Sequence, residues 1–448
     1  MIMKPYKFII FLLPIFIWTC DSDDNSIDDG SFRGVAEWAR TFGGSDSDFG
    51  FSLLETNDGN IAILGYTSST DGDITDKTLN VNDYWLIKSD LDGNMLWNKT
   101  YGGSGDDRGQ KIIQTNDGGF AMAGYSMSSD GDGSNNEGFH DNWIVKTDAD
   151  GNIQWENSFG FSGHDHAYAL LQTADNGYFM AGFLDVTSSG GAGNTNRSAN
   201  ISARRHGTGE FWCHRLDAQG NVIWQRYFGG SNNDRAFDVL QANDGGFIIT
   251  GYSESDDFDI TEGRGTYDYW VLKLSADGDL LWQKSFGGTG IDQSRAVIKT
   301  QDNAYIVVGN SFSDDVDINN NLGSSDFWLL KISDQGDIIW KHNYGGSDFD
   351  YATNIRSSID GYVVCGYSKS NNHDLSVNYG DNDFWVMKID EGGNLLWQKN
   401  FGGSGLDLAH DVIETATGHI YVVGETESND YDITENKGMK DLLLIKIR

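Results

Sequence analysis

Five pairs of alternating aspartates stand in the acidic loops of this chain: Asp71 and Asp73, Asp130 and Asp132, Asp257 and Asp259, Asp315 and Asp317, Asp430 and Asp432. Carboxylates spaced this way near glycine are the hard donors that Ca²⁺ collects, roughly six to eight at a time. Calcium is the cofactor such loops would hold, yet none continues into a loop of about twelve residues closed by glutamate. The plainer use of the same residues is to cap turns and stay solvated. A second column, Asp48, Asp107, Asp165, Asp234, Asp292, Asp350 and Asp407, falls ten residues after a recurring tryptophan. A carboxylate at a strand start accepts backbone N–H groups from the loop before it, and seven copies point to structure rather than to one binding site. The residue after each of these aspartates varies: Phe49, Arg108, His166, Arg235, Gln293, Tyr351, Leu408. A varied position beside a constant one is the pattern of a scaffold carrying one asymmetric site. If the first strand of each repeat lies innermost, these seven side chains ring the mouth of a central channel. Aromatics and arginine there would grip a glycan or a peptide.

One repeat deviates. It replaces a Gly-Gly pair with Gly160-Phe161, adds His164-Asp165-His166, and is about 11 residues longer, the extra length lying near Val186 to Thr208 with Arg204-Arg205-His206 inside it. Imidazoles are common transition-metal ligands, so His164, His166 and His206 are a candidate set, although their spacing matches no metal motif. Cys213 and Cys365 stand in the third and sixth repeats, too far apart to be bridged. They are expected to be small core residues. No nucleophile elbow, zinc-protease helix, phosphate loop or dinucleotide fingerprint occurs. Paired carboxylates are too common in the chain to nominate a glycosidase.

These residues need a frame that repeats. Trp38, Trp97, Trp155, Trp224, Trp282, Trp340 and Trp397 open seven similar segments at spacings of 59, 58, 69, 58, 58 and 57. A second column holds Trp85, Trp143, Trp212, Trp270, Trp328 and Trp385, with Leu443 in the seventh repeat. Tryptophans this regular are core or blade-packing residues. The second repeat contains four strand-like runs, Gly109 to Thr115, Phe120 to Tyr125, Asn142 to Thr147 and Ile153 to Phe159, separated by Asn-Asp-Gly-Gly and Asp-Ala-Asp-Gly-Asn turns. Four antiparallel strands in each of seven units predict an all-β, seven-bladed β-propeller over residues 34–448. The chain starts with a lone strand, Val35 to Phe42, and ends on a third strand, Leu442 to Ile447. The N-terminal strand should therefore complete the last blade and close the ring. Hairpin logic puts the tight turns on one face and the acidic loops on the other, together with the Gly-Gly crossings.

Of 448 residues, 67 are acidic and 31 basic, a formal charge of −36, which excludes a broad electrostatic footprint for nucleic acid. Residues 1–19 read as a secretion signal: Lys4 and Lys7, then an apolar run from Phe8 to Ile17 too short for a stable membrane anchor. Ile17-Trp18-Thr19-Cys20 resembles a bacterial lipobox, which would make Cys20 the lipidated first residue and residues 20–33 an acidic tether. A plain secretory signal with a chance cysteine is the other reading. The expected location is the outer membrane, lipid-anchored through Cys20 alone and facing the exterior, with a monomeric protein.

The motifs Trp-x-Lys-x-Phe-Gly-Gly-Ser-x-x-Asp, Gln-Thr-x-Asp-Gly-Gly, Gly-Tyr-Ser and Asp-Tyr-Trp-x-x-Lys are fullest from Trp97 to Lys146 and from Trp224 to Lys273. They resemble the SBBP-type β-propeller repeats of secreted and lipid-anchored proteins in the Bacteroidota, over nearly everything from Val35 onward. The resemblance implies a surface binding or scaffold module for a glycan or protein partner. Some relatives carry endoglucanase-like labels, so the alternative is a secreted carbohydrate-active hydrolase or lyase; fold resemblance does not transfer an activity. A quinone-dependent dehydrogenase is disfavoured, because such propellers usually have eight blades and a different tryptophan motif.

Overall fold

The structure, a computed structural model, describes residues 34–195 and 206–448. The expected signal (1–19), Cys20 with its tether (20–33), and Arg204-Arg205 lie outside the described residues. The strands form seven four-stranded antiparallel sheets, so the protein is a seven-bladed β-propeller. The first blade comprises β2 (Asp48–Glu55), β3 (Ile61–Thr67), β4 (Asp83–Ser89) and β5 (Met95–Tyr101). First strands of successive blades pack against one another around the axis and are innermost.

The second strands are mostly apolar, as in the Ile61–Thr67 sequence IAILGYT, and every residue of that strand is buried. Neighbouring blades cover both faces of each sheet, so no polar alternation survives there. Trp85, Trp143, Trp212, Trp270, Trp328 and Trp385 are the largest fully buried side chains. Burying roughly 200 Å² of such a ring contributes about 5 kcal/mol of transfer free energy, before ordering costs. Blades lock to each other through this column: the Tyr84 ring meets Trp143 edge-on at 4.7 Å, and its hydroxyl donates to the Trp143 carbonyl at 3.0 Å. The first tryptophan column is half-buried, apart from the buried Trp224.

Two of the sequence motifs meet in space. The cation of Asp-Tyr-Trp-x-x-Lys reaches the aspartate of the tight turn, as in Lys88 to Asp58 at 2.6 Å, Lys146 to Asp117 at 3.0 Å and Lys331 to Asp302 at 2.9 Å. The lysine stem is buried and its charge emerges at the turn.

Closure follows the predicted phase. The last sheet takes β26 (Asp407–Glu414), β27 (Ile420–Thr426) and β28 (Asp441–Ile447) from the C-terminal end. Its outer strand is β1 (Ala36–Phe42), antiparallel to β28 with Phe42 opposite Leu442 and Ala36 opposite Ile447. Val35 and Arg448 exchange both backbone hydrogen bonds at 2.9 Å. The third repeat alone adds a helix, α1 (Val186–Ser189), among the described residues. Deleting residues 33–43 would leave β28 as an unpaired edge. Such a variant is expected to lose its cooperative thermal transition or to oligomerise; a monomer with unchanged Tm would refute this account of closure.

Candidate functional site

The crossing aspartates are fully buried and hold the chain where it passes between blades. Asp48 accepts the Gly44 N–H at 2.8 Å and the Ser69 hydroxyl at 2.9 Å, and Thr67 also donates to it. Asp107, Asp292, Asp350 and Asp407 repeat the pattern, with N–H bonds from Gly103, Gly288, Gly346 and Gly403 at 2.7–2.9 Å. Asp234 accepts Gly230 at 2.7 Å, and Asp165 accepts Phe161 at 2.8 Å and the Asp185 N–H at 2.9 Å. Facing them is a second buried column that sequence reasoning did not single out: Asp83, Asp141, Asp268, Asp326, Asp383 and Asp441, with Glu210 in the third blade. Its signal was present as the first residue of the Asp-Tyr-Trp motif. The first glycine of each crossing is wedged between the two columns. A Cβ on Gly102 would lie 2.3 Å from Asp83 Oδ1 and 2.7 Å from Asp107 Oδ2, which only glycine avoids.

The alternating loop aspartates bind the same crossings from outside. Asp71 accepts the Ser45 N–H at 2.7 Å and Asp73 that of Gly43 at 2.9 Å. Asp130 and Asp132 take Ser104 and Gly102, Asp257 and Asp259 take Ser231 and Gly229, Asp315 and Asp317 take Thr289 and Gly287, and Asp430 and Asp432 take Ser404 and Gly402. These carboxylates are engaged as backbone acceptors in all five loops.

The varied column directly follows the crossing aspartates, and a bulge decides what lies beyond it. In every first strand the register slips by one residue three positions after the crossing aspartate, as between Gly50 and Ser52. The extra residues are Phe51, Gln110, Tyr168, Phe237, Arg295, Thr353 and His410, a ring that sequence reasoning missed because a bulge breaks period-two alternation. Opposite each bulge stands the glycine of the second strand. A Cβ on Gly65 would sit 1.7 Å from the Phe49 carbonyl oxygen, and one on Gly251 1.9 Å from that of Arg235.

The bulge ring lines a channel cavity of about 410 Å³, joined by Arg235 and Tyr351 from the varied column. The other members of that column are not among its lining residues. Arg108 pairs with Asp106 at 2.8 Å and lies over Tyr66, Phe49 packs on Tyr66 at 4.5 Å, and His166 stacks on Tyr125 at 3.8 Å. The Gln293 side-chain oxygen stands 3.5 Å from the Tyr351 hydroxyl, and Leu408 is opposite Glu425. Arg295 stands over Phe237 at 4.1 Å and over Tyr351 at 5.2 Å, donating from Nε to the Tyr351 hydroxyl. Arg235 stands over Phe183 at 4.4 Å and donates to Asn233. Among the described residues neither guanidinium has a carboxylate partner. The carboxylates deeper in the channel do have partners: Asp238 faces Lys111 at 3.8 Å, and Asp411 accepts from Asn354 at 2.8 Å and Arg356 at 3.1 Å. The opposite mouth opens a cavity of about 680 Å³ where Leu54, Ile113, Leu240, Ile298 and Ile413 stand beside Arg356.

The histidine set needs correction. His206 does not join His164 and His166; it lies by Glu210 at 3.3 Å and stacks on Phe258 at 5.0 Å. His140, from the neighbouring blade, completes the group instead, and the three offer ring nitrogens within 4.8 Å of one another. Cys213 and Cys365 are buried free thiols.

The fold and channel define a seven-bladed propeller whose axial lining differs from blade to blade. No family model matches the chain, and no curated protein matches it. Among solved structures, it is similar to a protein of unknown function from Bacteroides caccae, at 10% identity and TM-score 0.42 over 75% of this chain and 93% of that one. It is similar to BamB from Moraxella catarrhalis, at 11% identity and TM-score 0.39 over 94% and 95% of the two chains. It is also similar to Sqt1 from Chaetomium thermophilum, at 9% identity and TM-score 0.44 over 93% and 99%.

Burial pushes Asp83, Asp165, Asp326 and Asp383 up to about 7, and Asp141, Asp234, Asp268 and Asp441 up to about 6. The fold therefore binds more protons than the unfolded chain between about pH 4 and pH 7, and its stability falls as pH rises through that window. Urea denaturation is expected to show a lower midpoint at about pH 8 than at about pH 5. Asp326→Asn, which keeps an acceptor for the Leu322 N–H, should flatten that dependence; an unaltered slope would contradict the assignment.

Proposed function

We propose that the protein is a non-catalytic binding propeller that captures an acidic ligand at the long-loop mouth of its channel. One observation carries this reading. In a chain of net charge −36, two guanidiniums without carboxylate partners among the described residues, Arg235 and Arg295, stand over aromatic faces in an open cavity. Such a surface suits a planar or ring-shaped ligand bearing carboxylate or sulfate, because stacking and bidentate donation act together. An acidic glycan meets both conditions, and an acidic protein segment meets the second. The pairing of Asp238 and Asp411 with cations supports binding over cleavage, since a hydrolase needs a carboxyl pair left available to its substrate.

The proposal places this propeller at the cell surface as a lipoprotein, held by lipid on Cys20 behind an acidic tether. The signal-like residues 1–19 and the resemblance to SBBP-type repeats support that placement. A glycan array, run with Ca²⁺ and with chelator, is expected to return acidic glycans selectively, with binding that weakens as salt rises. Arg235→Gln and Arg295→Gln together should lower binding about tenfold or more while leaving Tm unchanged. Retained binding by the double variant would overturn the site. A blank array under both conditions would overturn the glycan reading in favour of a protein partner captured from the outer membrane.

A further inference from the structure

We propose that His140, His164 and His166 form a binding site for a divalent transition-metal ion of the zinc class. The three imidazoles come from two blades. His140 directly precedes the third strand of the second blade, Asp141–Thr147, whereas His164 and His166 flank the crossing aspartate of the third. A parallel bridge joins His140 to His164 and brings their Nδ1 atoms to 3.0 Å. Three neutral nitrogens converging from one side are the donor set of a zinc site that keeps a fourth position open.

The surroundings hold the rings in place. His164 lies parallel to Phe139 at 5.0 Å, His166 parallel to Tyr125 at 3.8 Å, and His140 meets Tyr125 edge-on at 5.0 Å. The Nδ1 of His166 is 3.2 Å from the Tyr168 hydroxyl, which leaves its buried Nε2 without a hydrogen-bond partner among the described residues. The Nε2 of His140 stands 3.5 Å from Asp106, a carboxylate itself fixed by Arg108 and Asn82. A carboxylate behind a ligand imidazole sets its orientation and raises its basicity. Burial, then the neighbouring His140 and His164, then Arg235 and Arg108 favour the neutral His166 ring, and burial with His140 likewise lowers His164. Metal ligation requires that neutral form. The two arginines oppose a bound cation.

Scaffold demands do not explain the cluster. The bridge positions of His140 and His164 hold Gly209 and Asn233, Tyr267 and Ile291, Ser325 and Phe349, and Asn382 and Leu406 in later blades, and Lys440 and Ser47 where the ring closes. Three of the nine histidines in the chain converge at positions where the other blades hold other residue types.

The test uses the untagged protein, stripped with chelator and dialysed. Calorimetric titration with ZnCl₂ should show one saturable site per chain, and Co²⁺ should develop the visible bands of a low-symmetry, nitrogen-ligated ion. His164 is exposed, so His164→Ala should fold normally and lose the Co²⁺ bands with at least about a tenfold drop in Zn²⁺ affinity. His206→Ala, outside the cluster, should bind as the parent does. Absence of saturable binding, or binding that survives His164→Ala, would overturn the site; so would binding that falls equally in His206→Ala, which marks scattered surface coordination.

Discussion

Every blade of this propeller depends on a buried carboxylate that ties down the chain crossing. Asp48 and its counterparts take backbone N–H groups in the interior, joined by hydroxyls everywhere but at Asp165, and an unsatisfied polar group there is costly. The crossing has no regular structure of its own, so its donors would otherwise be orphaned. One aspartate supplies the acceptors, and the alternating loop aspartates supply more from outside. The requirement is local and identical in each blade, which accounts for a sevenfold column in the sequence.

The same arrangement confines a second carboxylate to the far side of the crossing glycine. Asp83, Asp326 and Asp383 each have one oxygen without a hydrogen-bond partner among the described residues, and burial raises their proton affinity. Two carboxyl groups flanking one glycine are a compact solution that costs less when one of them carries a proton. Asp83 is in addition faced by the buried Lys77 at 3.4 Å.

The repeats disagree along the channel. The bulge turns one side chain per blade into the channel, and the glycine opposite leaves room for the displaced carbonyl. Symmetry fixes that position in space and leaves its chemistry open. Aromatic faces and two arginines gather on one side of the channel, and three histidines gather beside them at the boundary of the second and third blades. Both groups are assembled from several blades, so ring closure through β1 and β28 holds them together.

Most of the architecture was legible in the residues alone. Trp38 to Trp397 marked seven units, the two terminal strands marked the closure, and the Asp48 column announced itself as structural. These features are local and repeated, so a one-dimensional pattern contains them. The varied column, Phe49 to Leu408, was expected to ring the mouth; only Arg235 and Tyr351 of it line the cavity, and the ring that does so lies two residues further on. Strand alternation predicts one face per parity, and a bulge breaks parity without leaving a mark in composition. His206 was grouped with His164 and His166 by proximity in the chain, whereas His140 belongs there by adjacency of blades. By itself the sequence determined the fold, the blade count and the positions free to vary, because these follow from periodic burial and turn chemistry. Only the tertiary structure decided which varied residues meet, which charges lack partners among the described residues and which carboxylates gain proton affinity by burial. Those depend on distances between blades and on exclusion of water, and neither exists until the ring is closed.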